Sequence, residues 1–296
     1  MVPAVHDVAR HTSRARAGVA LVPRLVTYHL RLLSRNPTGA FISLIIPLML
    51  LVALDLVTPE MTLRSLGSVP VAQFLTPAMA SFAILNVGFV DVVISLTLAR
   101  DEGTLRRFRC SPLPTWVYLA GRLATAVVIG ALAVAAVVAV GIGLLHAQLD
   151  SDMLWRFVAT GGAGLLTSFA LALAVSVLVP SALAALPIAY GLLLPVAFIS
   201  QVFFPAPTEA RWLRFVAGIL PIQPIANGME ACFSASTSPL QAHGLVVLGC
   251  WTLGGLVVGL VLFSSEPRAR LRTRLLLALL RAPEKLRARR RSRREG

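Results

Sequence analysis

The chain has 296 residues and a formal net charge of +14, with 57% hydrophobic residues and only 14% charged ones; its mean hydropathy is +0.80. Soluble domains carry about a quarter charged residues, so apolar content and positive charge must here be segregated along the chain. That excludes an ordinary soluble enzyme, a disordered protein and a disulfide scaffold, and indicates a membrane protein.

Residues 1–38 form a first, charged segment. Its beginning carries Arg10, Arg14 and Arg16 and lacks an apolar core, so no secretory signal peptide is expected. Between residues 21 and 35 the pattern is amphipathic. Arg24, Tyr28, Arg31 and Arg35 fall on one helical face, and Val22, Leu25, Val26, Leu32 and Leu33 on the other. Asn36-Pro37 stops this helix, because proline disfavours helical backbone at the preceding residue. A basic amphipathic helix beside a membrane lies in the interface, with its arginines near lipid headgroups, or serves as a plain anchor.

Residues 39–264 hold six apolar stretches, at 39–57, 72–98, 116–145, 155–179, 181–203 and 242–264. About 20 predominantly apolar residues span a bilayer as a helix. No period of two runs through these stretches, and Ala and Leu dominate them, so strands are not expected. The fourth and fifth are separated only by the turn at Pro180, which predicts a tight helical hairpin. Pro187 and Pro195 are expected to interrupt the fifth. Between the fifth and sixth, the run 212–220 lies among Pro205, Pro207, Pro221, Pro224 and Pro239 and is too short to span. It suits a re-entrant or interfacial helix. Residues 265–296 form a basic tail, read as solvated or bound to headgroups.

Of the 27 Lys and Arg residues, 23 lie in the N-terminal segment, the connection after the second span (counting Arg122 just inside the third) and the tail. The opposite side has only Arg64, Arg156, Arg211 and Arg214. Positive charge marks the cytoplasmic side, so both termini are expected there, in agreement with an even number of spans.

The connection after the second span runs Arg100-Asp101-Glu102-Gly103-Thr104-Leu105-Arg106-Arg107-Phe108-Arg109-Cys110-Ser111-Pro112-Leu113-Pro114. Gly103 can end one helix and Thr104 can cap a short new one, which Pro112 and Pro114 would end. The alternative is an ordinary basic loop. Within the spans, Asp91 and Asn86 invite a functional reading as a substrate path or gate. A charge placed in lipid costs about 2.5–3.5 kcal/mol on insertion scales. Five residues apart on an α-helix, the two are expected to face different sides, and Asp91 has no evident basic partner within the spans. Asp55, near the end of the first span, is expected to reach water.

Lys285 is the only lysine, and no glycine stands near it. A P-loop needs a lysine within its glycine-rich pattern, so this chain is not by itself a P-loop ATPase. Cys110, Cys232 and Cys250 have no paired spacing for zinc or redox chemistry. Neither G-x-S-G nor H-E-x-x-H occurs, against an intramembrane protease. A secondary transporter would show repeated halves, and none is visible.

Asp101-Glu102-Gly103-Thr104-Leu105 with Ser111-Pro112-Leu113 resembles the E-x-G-T-L and Pro-Leu pattern of the ABC-2 family of ABC-transporter permeases, particularly drug and antibiotic exporters. Arg31-Leu32-Leu33-Ser34-Arg35-Asn36-Pro37 is similar to that family's connecting helix. Phe203-Phe204-Pro205, Trp212-Leu213 and Leu220-Pro221-Ile222 are similar to its last outer loop. The resemblance implies an all-α integral membrane protein of six transmembrane helices. It adds an N-terminal amphipathic interfacial helix, a cytoplasmic coupling helix between helices two and three, and short re-entrant or interfacial helices before helix six. It implies an exporter subunit of a bacterial plasma membrane, moving a small amphipathic drug-like molecule, or alternatively a lipid or glycan. The partners it implies are a cognate ABC ATPase, a second permease copy and membrane lipids, with no nucleic acid. ATP and magnesium would sit on the ATPase, with no cofactor and no catalytic or metal site on this chain. Arg100, Asp101, Glu102, Gly103, Thr104, Leu105, Arg106, Arg107 and Arg109 would then form the coupling segment that meets the ATPase, alongside Arg24, Arg31 and Arg35 of the connecting helix.

Overall fold

The computed structural model describes residues 23, 24, 26, 27, 31, 38–57, 62–63, 69–104, 115–200, 202–203, 211–233 and 243–261. Helix α1, Thr38–Val57, is 20 residues long and runs through Pro47. At 1.5 Å per residue it extends about 30 Å, the thickness of a bilayer's hydrocarbon core. Five further helices are long and apolar enough to cross a membrane. They are α2 (Val71–Asp101), α3 (Thr115–Gly143), α4 (Leu154–Leu178), α5 (Ala182–Ile199) and α8 (His243–Val261). Two short helices, α6 (Arg211–Ile219) and α7 (Ile222–Glu230), lie between α5 and α8. A two-residue antiparallel ladder, β1 (Thr62–Leu63) with β2 (Val69–Pro70), closes the connection from α1 to α2. The chain is thus an all-α membrane protein.

Helix α2 is the centre of the bundle. Its α-helical Val71–Leu85 and Val92–Asp101 are joined by a π-helical segment, Asn86–Asp91. Phe82, Met79, Val87 and Leu96 are fully buried there. Helix α3 lies antiparallel to α2, as Arg122 meets Ser95 and Gly141 meets Thr76. Helix α4 runs parallel to α2 on another side, as Ile84 meets Gly161 and Arg100 meets Ser176, and Gly88 reaches so close that a Cβ would stand 2.8 Å from the Ser168 Cβ. Helix α8 runs parallel to α4, and Gly255 touches the Ala170 backbone. Small residues let spans approach closely, which drives their packing in lipid.

The α4–α5 hairpin is as tight as expected, with three residues between Leu178 and Ala182. The two prolines do not interrupt α5, which runs unbroken through Pro187 and Pro195 to Ile199. Its end falls short of the expected 203. The Val202 amide instead donates to the Ala197 carbonyl, and the Phe203 ring folds back between Phe82 and Phe198.

Helix α7 decides between re-entrant and interfacial. Ile225 packs on Gly164, and Met229 reaches Gly161 and the Ser81 hydroxyl. Gly164 lies ten residues into α4, about 15 Å at helical rise, so α7 enters to mid-depth and is re-entrant. At its exit, the Gln73 amide donates to the Phe233 and Gln148 carbonyls, and its oxygen accepts from the Gln148 amide at 2.7 Å. One side chain therefore fixes the first turn of α2, the α3–α4 connection and the end of the re-entrant helix.

Candidate coupling site and intramembrane polar cluster

The last turn of α2 is charged, and its two final charges, Arg100 with its side chain buried and the exposed Asp101, both reach the α4–α5 turn. The Arg100 guanidinium donates to the Ser176 carbonyl at 2.9 Å, to the Val177 carbonyl at 3.5 Å and to the Val179 carbonyl. These are end carbonyls of α4, which have no partner within their own helix. Asp101 accepts from the Ala182 amide at 2.7 Å, at the first residue of α5. The Ser181 hydroxyl accepts from Ala184 and caps the same helix end. A cation thus sits at the C-terminus of α4 and an anion at the N-terminus of α5, the signs that the two helix dipoles favour. Arg100 and Asp101 are also within 3.6 Å of each other.

Beyond this pair the chain turns outward. Gly103 ends α2 in the left-handed region, φ 73°. Its amide donates to the Arg100 carbonyl and that of Glu102 to Leu98. This is the glycine stop expected of that position. Glu102 is exposed, and Thr104 is helical. Leu105, Arg106, Arg107 and Arg109 lie outside the described residues. So does Arg35, whereas Arg24 and Arg31 are helical and exposed.

The second polar group lies within the bundle. The Ser43 hydroxyl of α1 donates to Asp91 at 2.7 Å, and its carbonyl accepts from the Asn86 amide at 3.1 Å. The Tyr190 hydroxyl of α5 donates to the Asn86 oxygen at 2.9 Å. Asn86 and Asp91 therefore converge on one serine instead of facing different sides. In an α-helix five residues turn the chain by about 500°, leaving the two side chains about 140° apart. The intervening π-helical turn, with its i→i+5 pattern, brings residues five apart toward one side.

Asp91 also has a basic neighbour, contrary to expectation. Arg122 of α3 donates to the Ser95 hydroxyl at 2.8 Å, one turn along α2, and interacts electrostatically with Asp91. Arg122 had counted only as a charge at a span's edge, although it lies inside α3. Ser43 and Tyr190 carried a weaker signal, each being a lone polar residue in an apolar helix. Asp55 lies near the end of α1 and is half-buried. Among the described residues no cluster of His, Cys, Asp or Glu is placed to hold a metal.

A family model for the ABC-2 type transporter matches residues 22–233, well over half of the chain. The chain belongs to the ABC-2 type transporter family. It is therefore a multi-pass membrane component of an ABC-type transporter, a family that works with an ABC ATPase. No curated protein matches the chain. The match covers both the charged end of α2 and the intramembrane cluster of this ABC-2 protein.

Proposed function

We propose that this ABC-2 permease is the membrane subunit of an exporter that moves a small amphipathic molecule out of the cytoplasm. ATP is hydrolysed on a separate ATPase, and two permease copies form the pathway. The observation that supports this best is the end of α2. A 31-residue helix, anchored through the bundle, ends at Asp101, and Glu102 directly beyond it is exposed. That is the arrangement needed to receive a displacement from a docked partner. The positive charge on this segment supports a cytoplasmic side for it and for both termini.

Asn86, Asp91, Ser43 and Tyr190 link α1, α2 and α5 within apolar surroundings, and we read them as the gate. Ion pairs and hydrogen bonds between spans have two arrangements, made or broken, which suits a transition between two states. The test is ATP hydrolysis by the purified chain alone and with its ATPase. The chain alone turns over no ATP. The pair does, and Glu102→Ala weakens ATPase association without affecting membrane insertion. Turnover by the chain alone would overturn the assignment.

A further inference from the structure

The charged segment of an ABC-2 permease reads as one surface for the ATPase, but the two charges that open it are already engaged. Arg100 spends its guanidinium on carbonyls of Ser176, Val177 and Val179, and Asp101 its carboxylate on the Ala182 amide. The side chain of Arg100 is only 7% exposed. Two adjacent residues thus grip both arms of the α4–α5 hairpin, one at each helix end. The bonds are charge-assisted and run to backbone, so the grip is on the path of the chain and not on a rotatable side chain.

At this end helix α5 packs against Val92–Asp101 with the small Ala185 buried, while its leucines face outward. Leu183 is 93% exposed, and Leu186 is exposed as well. Apolar side chains facing lipid supply little force between helices. Helix α5 next meets α2 through a polar contact only at Tyr190, eight residues on.

The geometry assigns Arg100 and Asp101 as positioning residues that carry a displacement of the cytoplasmic segment into the start of α5, and not as ATPase contacts. The pair is a strut. When the end of α2 moves, the α4–α5 turn moves with it, and Glu102 and the residues after Gly103 are left to meet the partner. This rests on the permease reading above.

The test is hydrogen exchange by mass spectrometry on the complete permease–ATPase complex in lipid nanodiscs, with and without ATP and vanadate. Peptides covering 98–104 and 181–186 are followed. In the unaltered complex both segments change together on trapping. In Asp101→Ala and Arg100→Gln the ATPase stays bound and 98–104 still responds. The response at 181–186 falls about tenfold, the worth of one charge-assisted hydrogen bond. Asp101→Asn keeps an acceptor oxygen and an almost unchanged shape, and restores the joint response. A merely local cap would raise exchange at 181–186 equally in both nucleotide states and leave the difference intact, which would overturn the strut. Loss of the ATPase from either variant would also overturn it, by making the pair a partner contact. An unaltered complex in which 98–104 responds and 181–186 stays silent removes the strut alone. One in which no ATPase binds removes the permease reading and the strut with it.

Discussion

Helices α2 and α5 are similarly apolar and have opposite surroundings. Of the most apolar window of α2, 78% is buried within the chain, against 22% for α5. Helix α2 is wrapped by α1, α3, α4 and α7, with close approaches at Gly88 on it and at Gly141 facing it. Helix α5 presents Leu183, Leu186, Leu192 and Phe198 outward. It is attached through Asp101 at one end, Tyr190 midway and the Phe203 fold-back at the other. In water such a helix would be driven inward by its leucines. In lipid that force is absent, and position is set by packing and polar contacts. One spanning helix is therefore packed on several sides, and the other along the single face of Ala185, Ala189, Leu193 and Ala197 with a few bonds added, which makes α2 the frame and α5 the more loosely held element.

The contrast breaks most readily at Gly88. Leucine there meets Ser168 and the Leu165 carbonyl, so α2 and α4 must separate. Overpacking of this kind costs about 1–3 kcal/mol, and the expected outcome for Gly88→Leu is a melting temperature lowered by several degrees in detergent. Next comes Asn86→Leu. It removes the bonds from Asn86 to the Ser43 carbonyl and from the Tyr190 hydroxyl to Asn86, at about 1–3 kcal/mol, and loosens α1 and α5 together. A cysteine placed on α5 should then label faster, and unchanged labelling would deny that Asn86 holds it. Tyr190→Phe removes one bond between spans, worth about 0.6 kcal/mol on average, and should lower the melting temperature only slightly. Smallest is Gly191→Leu on α5. Nothing stands within 4 Å of a Cβ there, and the change should fall within about 0.5 kcal/mol. If Gly191→Leu destabilised the purified chain as much as Gly88→Leu, the two helices would not differ in the way described.

These two helices also show what the amino-acid sequence made legible. Span length, the Pro180 hairpin, the Gly103 stop and short helices after Phe203 follow from local composition and backbone chemistry. The convergence of Asn86 and Asp91 does not. It depends on one widened turn that opens where α2 meets α1 and α5, and nothing in Asn86-Val87-Gly88-Phe89-Val90-Asp91 dictates that locally. Counting Arg100, Asp101 and Arg122 as charges locates a side of the membrane. It does not say what each charge touches, because that is settled by helix ends brought together from distant parts of the chain. The continuity of α5 through two prolines is a tertiary result of the same kind.

Transport itself tests the central claim most directly. The chain and its ATPase are reconstituted together and separately into liposomes, and movement of ethidium, an amphipathic cation, is followed with and without ATP. The account predicts ATP-dependent movement only where both proteins are present. Movement through the chain alone, without ATP and down the ethidium gradient, would contradict it.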